Sequence, residues 1–239
     1  MAKLDKSQYT KEQWKIVRDK RRQEKKEKAL AQERIVEEKK RTEEWQRLYG
    51  ETIIEKTPQN YVMCLKHGSK YSHKYVNTLY SMVKRNLTIP HKFVCLTDDP
   101  KGIDKDIKIL PLPKELTGWW CKPYMYSADL PLAFDSTILY MDLDVVISGN
   151  LNKLFEYETN NWCVIRDFTR AMQPKWEKYN SSVVRFKLGE LRHVWEDFIK
   201  DPKKIIQSHF GDQDWLWTSA KGTAKTWPDE WIQSWKWEI

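Results

Sequence analysis

Residues 137–147 read Thr-Ile-Leu-Tyr-Met-Asp-Leu-Asp-Val-Val-Ile, an apolar and partly β-branched run broken by two carboxylates one residue apart. The stretch Thr137 to Met141 reads as a buried central strand of a sheet covered on both faces. Removing an unpaired carboxylate from water costs too much for Asp142 and Asp144 to lie inside such a strand. They must stand at its end, facing a cation or a polar ligand. Side chains alternate along extended backbone, so both acids point to one side if the extended geometry continues through them. In open α/β sheets ligands bind beyond the carboxyl ends of the strands. Two oxygen donors there suit a hard divalent ion shared with substrate phosphates.

The surrounding pattern supports that sheet. Tyr61 to Leu65, His91 to Leu96 and Ile107 to Leu110 read as strands. Tyr75 to Leu87 carries Val76, Leu79, Tyr80, Val83 and Leu87 at helical spacing. Helices are also expected over Lys122 to Leu132 and Leu188 to Lys200, and strands over Cys163 to Ile165 and Ser182 to Phe186. Strand–helix–strand order at these separations predicts an α/β domain over residues 51–239 with a mostly parallel central sheet.

Residues 1–50 differ in character. There is no Gly or Pro before Gly50, and the span from Arg18 to Lys28 has no apolar residue. Glu, Lys, Gln, Arg and Ala dominate, all good helix formers. The absence of a continuous apolar stripe excludes a coiled-coil seam there. The reading is a long, charged, solvated helical arm with i,i+4 pairs such as Glu24–Lys28, or a partly disordered equivalent. Short apolar groups (Trp14, Ile16, Val17; Ile35, Val36; Trp45, Leu48, Tyr49) can dock at its ends. This arm holds 16 basic and 10 acidic residues, against 26 and 24 in the rest of the chain. The body is therefore nearly neutral, which removes the main support for a nucleic-acid function there. The arm suits a tether to a partner protein or an anionic surface.

Other features narrow the reading. Cys64, Cys95, Cys121 and Cys163 have no CxxC spacing and read as reduced core residues. No apolar run approaches the length of a membrane span and no signal-peptide core is present, so a cytoplasmic location is expected. Seven of the 13 Trp fall in the last 45 residues. Most of these read as core, a minority as walls for a ring-shaped ligand. His67 and His73 read as surface residues, and Asp98-Asp99-Pro100 as a turn. No P-loop and no Gly-x-Gly-x-x-Gly follows any strand, which excludes kinase and dinucleotide-binding readings.

Five ordered segments carry a resemblance. They are the strand and helix of Tyr61 to Asn86, Gly118-Trp119-Trp120-Cys121-Lys122, Asp142-Leu143-Asp144, Tyr179-Asn180-Ser181-Ser182-Val183 and Gly211-Asp212-Gln213-Asp214-Trp215. Together, over roughly residues 58–239, they resemble a GT-A-fold glycosyltransferase of the family 8 type, whose members use nucleotide-sugar donors and carry a DxD motif. Two departures stand out. Ser182 occupies the position of the family's Gly, and no residue after His209 matches the family's C-terminal metal-binding His.

The resemblance implies a Rossmann-like GT-A domain. It implies metal-dependent transfer of a hexose from a nucleoside-diphosphate sugar, such as a UDP-sugar, to a sugar or other hydroxyl acceptor, with retained anomeric configuration. Asp144 would contact Mn2+ or Mg2+ directly, and Asp142 would contact the ribose, the ion's water shell or the ion itself. Lys122 would add positive charge near the leaving diphosphate, and Asn180 would bind a hydroxyl. Asp212, Gln213 and Asp214 would line the sugar pocket and take part in the chemistry. Residue-level alternatives remain beside these. Asp212 can simply begin a helix, Asn180 can close a strand-end turn, and Lys122 can be a surface residue. At the level of the chain, a sugar- or nucleotide-binding module without turnover, or an interaction protein worked by its arm, fits the same features.

Overall fold

The computed structural model describes residues 10–49 and 57–239. The chain divides into two units, Met1–Thr52 and Ile53–Ile239.

In the first unit, helix α1 (Lys11–Tyr49) runs for 39 residues. A reciprocal capping pair starts it. Gln13 N–H donates to Thr10 Oγ1 at 3.3 Å, and Thr10 N–H donates to Gln13 Oε1 at 3.0 Å. This satisfies two of the amide donors that every helix start exposes. Trp14 and Val17 are half-buried, and the other side chains up to Lys28 are exposed. The expected Glu24–Lys28 pair is absent from the ion pairs among the described residues. Both side chains are solvated, and such a surface pair gains little. The side chains of Ile35, Val36, Trp45, Leu48 and Tyr49, and Gly50 itself, lie outside the described residues.

The second unit is built on seven strands: β1 (Asn60–Lys66), β2 (Lys92–Thr97), β3 (Lys108–Pro111), β4 (Thr137–Met141), β5 (Cys163–Arg166), β6 (Tyr179–Lys187) and β7 (Lys225–Thr226), in the order β3-β2-β1-β4-β6-β5-β7. The pairs β3/β2, β2/β1, β1/β4 and β5/β7 are parallel, while β4/β6 and β6/β5 are antiparallel. Alternate residues of each strand enter different cores. Tyr61, Met63, Ile138 and Tyr140 face one, and Val62, Cys64, Leu139 and Met141 face the other. Both faces of the sheet are thus covered, which is why its strands read as near-continuous apolar runs. The four cysteines are buried, free thiols. Burial pushes Cys121 up to about 12 and Cys163 up to about 11.

Helix α2 (His73–Asn86) covers the second face through Val76, Leu79 and Val83. The short α3 (Asn152–Glu156) joins it there through Leu154 and Phe155. The first face is covered by a 3-10 segment, Gly118–Tyr126, together with α4 (Arg192–Lys200) and α6 (Asp212–Ala220). Helix α5 (Pro202–Ser208) leads from α4 toward α6.

Two helix expectations are corrected. The α-helix read over Lys122 to Leu132 is the tighter 3-10 segment, which starts earlier and ends at Tyr126. Pro123 inside it lacks an amide donor, and the segment ends where the backbone of Ser127 becomes extended. The helix read from Leu188 begins at Arg192, because the chain turns at Gly189 with φ +93°. That turn is also crowded, since a Cβ at Gly189 would stand 2.4 Å from the Phe134 ring.

Candidate active site

Strand β4 ends at Met141, and the backbone then turns at Leu143-Asp144 instead of running on extended. The premise that extended geometry aligns the two acids therefore fails. Nevertheless, both Asp142 and Asp144 line one cavity of about 640 Å3, which lies beyond the carboxyl ends of β1 and β4.

Asp142 is held from several sides. Its amide donates to Ser182 O at 2.8 Å, continuing the β4/β6 ladder. Lys122 Nζ stands 2.8 Å from Oδ1 and 2.9 Å from Oδ2, and Tyr140 Oη donates to Oδ1 at 2.8 Å. Lys122 also donates to Ser181 Oγ at 3.3 Å and lies 3.6 Å from Asp212 Oδ2. Ser181 Oγ in turn donates to Asp212 Oδ2 at 2.6 Å. One ammonium thus lies between two carboxylates, each group nearly shielded from water. Burial works against the charge on Lys122, but Asp212 and Asp142 outweigh it and its pKa stands above the ordinary lysine value. Burial raises the pKa of Asp212 above the usual carboxylate range, although Lys122 and the Ser181 hydroxyl pull it down.

Asp144 is more open. Tyr71 Oη donates to its Oδ2 at 2.9 Å, and among the described residues its other oxygen has no hydrogen-bond partner. The Tyr71 phenol is pushed up to about 12, by burial first and then by this bond. No group of three or more His, Cys, Asp or Glu side chains among the described residues forms a closed metal cage. The donor set still fits a hard cation. Magnesium-like ions are often bound by one or two carboxylates plus water and substrate phosphates. Asp144, with one oxygen unpartnered among the described residues, can contribute to such a site, whereas both oxygens of Asp142 are already engaged by Lys122 and Tyr140.

Asp212, Gln213 and Asp214 also line the cavity, from the first turn of α6. Gly211 precedes them at the cap position with extended backbone. Carboxylates there are favoured by the helix dipole, and Trp215 Nε1 pins the helix to α4 by donating to Val194 O at 2.9 Å. Gln213 is oriented by neighbours. Its Oε1 accepts from Asn180 Nδ2 at 3.3 Å, and its Nε2 donates to Asp167 at 3.5 Å. Asp214 accepts from Lys178 at 3.4 Å.

Asn180 does not line the cavity. Its Oδ1 accepts from Ser182 N–H at 3.0 Å, so both ends of the amide are used in holding neighbours. A register shift lies here. Val164 pairs with Val184 while Ile165 pairs with Asn180, leaving residues 181–183 out of step with β5. That irregularity turns Ser181 toward Lys122 and Asp212.

Sequence reading gave no role to Tyr140, Ser181 or Tyr71. Tyr140 was legible in principle, because it stands two residues before Asp142 in the strand. Ser181 depends on the register shift and Tyr71 on the course of the β1–α2 loop, which local sequence does not specify. His67, expected at the surface, lines the cavity, where its Nδ1 accepts from Gly118 N–H at 3.2 Å. Asp98 ends β2 in the expected turn and also accepts from Gly68 N–H at 3.0 Å, tying the same loop. His73 opens α2.

No family model matches this sequence, and no curated protein matches it. Solved structures do. The glycosyltransferase GlyE of Streptococcus pneumoniae TIGR4 shares 15% identity and a TM-score of 0.56, over 73% of this chain and 46% of GlyE. Its apo form gives 17%, 0.54 and the same coverage. The galactosyltransferase LgtC, in complex with donor and acceptor sugar analogues, gives 16% and 0.50 over 70% of this chain and 72% of LgtC. This chain therefore spans under half the length of GlyE. At such identities the likeness concerns the fold: the body has a GT-A-like α/β fold with a mostly parallel sheet.

Proposed function

We propose that this chain is a metal-dependent glycosyltransferase. It moves a hexose from a nucleoside-diphosphate sugar, in the first instance a UDP-sugar, to a hydroxyl acceptor with retention of configuration. The observation that carries this reading is the cavity at the carboxyl ends of β1 and β4, where Asp142 and Asp144 meet Lys122 and the first turn of α6. Asp144, with Asp142 beside it, would hold Mn2+ or Mg2+. When bound, the ion would neutralise charge on the departing nucleoside diphosphate.

The remaining roles belong to the chain's own groups. Lys122 is engaged by Asp142, Ser181 and Asp212, so we assign it to orienting both carboxylates ahead of contacting phosphate directly. Asn180 acts through Gln213, setting which end of that amide faces the sugar. Gln213 presents a fixed polar group to the sugar ring, where it can stabilise an oxocarbenium-like transition state. Asp212, held by Lys122 and the Ser181 hydroxyl, presents a fixed carboxylate at the acceptor side. Asp214, anchored by Lys178, binds sugar hydroxyls. Residues 1–50 are an arm for a partner protein or an anionic surface, joined to a transferase domain at 51–239.

Calorimetric titration with UDP, with and without Mn2+, tests the metal role. Tight binding that needs the ion, and UDP-sugar hydrolysis lost in Asp144→Ala, are expected. Metal-independent UDP affinity, or equal hydrolysis by the variant, would remove Asp144 from the mechanism. UDP binding with no turnover in the wild type would favour the binding-module reading.

A further inference from the structure

Two aromatic rings stand exposed on the rim of the cavity. Phe210 is 97% exposed and Trp119 is 58% exposed, and both line it. They arrive from separate elements. Trp119 belongs to the 3-10 segment and Phe210 to the loop between α5 and α6. A Cβ at Gly211 would stand 3.6 Å from the Trp119 indole nitrogen, so the indole edge lies against the backbone that leads into Asp212. Among the described residues neither ring stacks on another aromatic side chain, and the Trp119 N–H has no hydrogen-bond partner. The adjacent Trp120 behaves differently, since it is buried and stacked on Phe198 at 5.8 Å. The pair Trp119-Trp120 thus sends one ring to the core and one to the cavity.

A single exposed apolar residue is ordinary. Two rings on one cavity wall, beside a free N–H and the polar groups of Asp212, Gln213 and Asp214, have the composition of a ligand pocket. We propose that Trp119 and Phe210 form an acceptor subsite for a pyranose sugar. A pyranose has an apolar C–H face, which suits an aromatic ring, and hydroxyls around its rim, which suit the neighbouring donors and acceptors. Nucleobases also stack on such rings, but the order of groups in a nucleotide sugar argues against that occupant. The base and the transferred sugar lie on opposite sides of the diphosphate. With the diphosphate at Asp142 and Asp144 and the reacting carbon near α6, whatever lies on the α6 side beyond that carbon is the acceptor. This step rests on the reading under Proposed function, and it narrows the acceptor from any hydroxyl compound to a carbohydrate.

Saturation-transfer NMR on the full chain with UDP and Mn2+ present, using methyl glucopyranosides, methyl galactopyranosides and lactose as probes, tests the subsite. Calorimetry with UDP on the same samples is the companion measurement. At least one saccharide is expected to bind, with its strongest transfer at C–H protons of one ring face. Trp119→Ala and Phe210→Ala should each weaken that saccharide about tenfold and leave UDP affinity unchanged, while Trp119→Phe should retain most of the binding. Saccharide binding that is indifferent to both alanine variants would overturn the assignment, as would UDP binding with no bound saccharide. Loss of UDP affinity in the variants would overturn it in favour of the base. Failure of the wild type to bind UDP would instead strike the parent reading, whatever the saccharides do.

Discussion

Lys122 sits where its removal should be felt as a charge problem more than a packing one. Lys122→Met keeps an unbranched chain of similar volume but leaves Asp142 and Asp212 facing each other without the ammonium 2.8 Å and 3.6 Å from them. The side chains of Lys122, Asp142 and Asp212 are 12%, 21% and 11% exposed, so water replaces little of the lost attraction. Breaking a buried pair costs about 3–5 kcal/mol, and the partial exposure of Asp142 places this one near the low end, at about 3 kcal/mol. For a chain of this size that corresponds to a fall in melting temperature of about 9 °C.

The deficit should depend on pH. Burial already raises Asp212 above the ordinary carboxylate value of 3.8 in the folded state, and without Lys122 one opposing influence disappears, so it rises further. Between the unfolded and folded pKa values the native state binds more protons than the unfolded one. Stability there increases as pH falls. Urea unfolding followed by tryptophan fluorescence at pH 8 and pH 5 should show the variant's deficit shrinking in acid. In the wild type, Lys122 itself titrates above its ordinary 10.5. Its contribution is complete below that unfolded value and should be lost as pH rises through the folded one. A deficit under about 1 kcal/mol at pH 8, near the value of an exposed pair, would refute the reasoning. So would a deficit that stayed constant on acidification.

Two further outcomes follow from the same structure. Arg185 is 3% exposed and donates to the carbonyls of Leu154, Phe155, Tyr157, Glu158 and Asn161. Arg185→Met should leave those acceptors orphaned at the end of α3 and cost about 3 kcal/mol or more in urea unfolding; a loss below 1 kcal/mol would show that water takes over the acceptors. Removal of residues 1–50 should leave a cooperative unfolding transition and UDP binding, because the buried clusters among the described residues lie between Tyr61 and Trp227; aggregation of the truncated chain would show that the arm supports the core.

The parts of the fold legible in sequence were those whose pattern is local. Strand β4 reads correctly from Thr137 to Met141 because each residue between is buried and apolar, and no turn former interrupts it. Helix α2 is equally plain, since Val76, Leu79 and Val83 mark one face. Where backbone conformation depends on one residue, the pattern misleads. Pro123 tightens the segment that carries Lys122, and Gly189 delays α4, though the apolar residues in both stretches can be fitted to a helical period. The candidate site was legible as residue types and not as partners. Asp142 stands out in the sequence, but its bonds to Lys122, Tyr140 and Ser182 span three segments. Asn180 drew attention for its amide, yet that amide is turned inward on Gln213 and Ser182.

The reversal of strand direction between β4 and β6 explains how such distant residues meet. Strand β4 runs up to the lip of the sheet and delivers Asp142 there. Strand β6 starts at that same lip and runs down, so Ser181 and Ser182 lie beside Asp142 at the outset of the antiparallel pair. The chain returns once more through α4 and α5, and the N-terminus of α6 closes the ring at Asp212. The product is a cavity wall with four carboxylates, Asp142, Asp144, Asp212 and Asp214, against the ammonium groups of Lys70 and Lys122, with Lys178 paired to Asp214. Lys122 is consumed by two of those acids. A diphosphate approaching Asp144 would therefore meet net negative charge in a partly water-excluded space, where repulsion is screened less than in bulk. An added divalent cation would offset that charge. On the proposed reading a divalent cation supplies the missing positive charge, so UDP and Mn2+ should each raise the affinity of the other by the same factor in calorimetric titration.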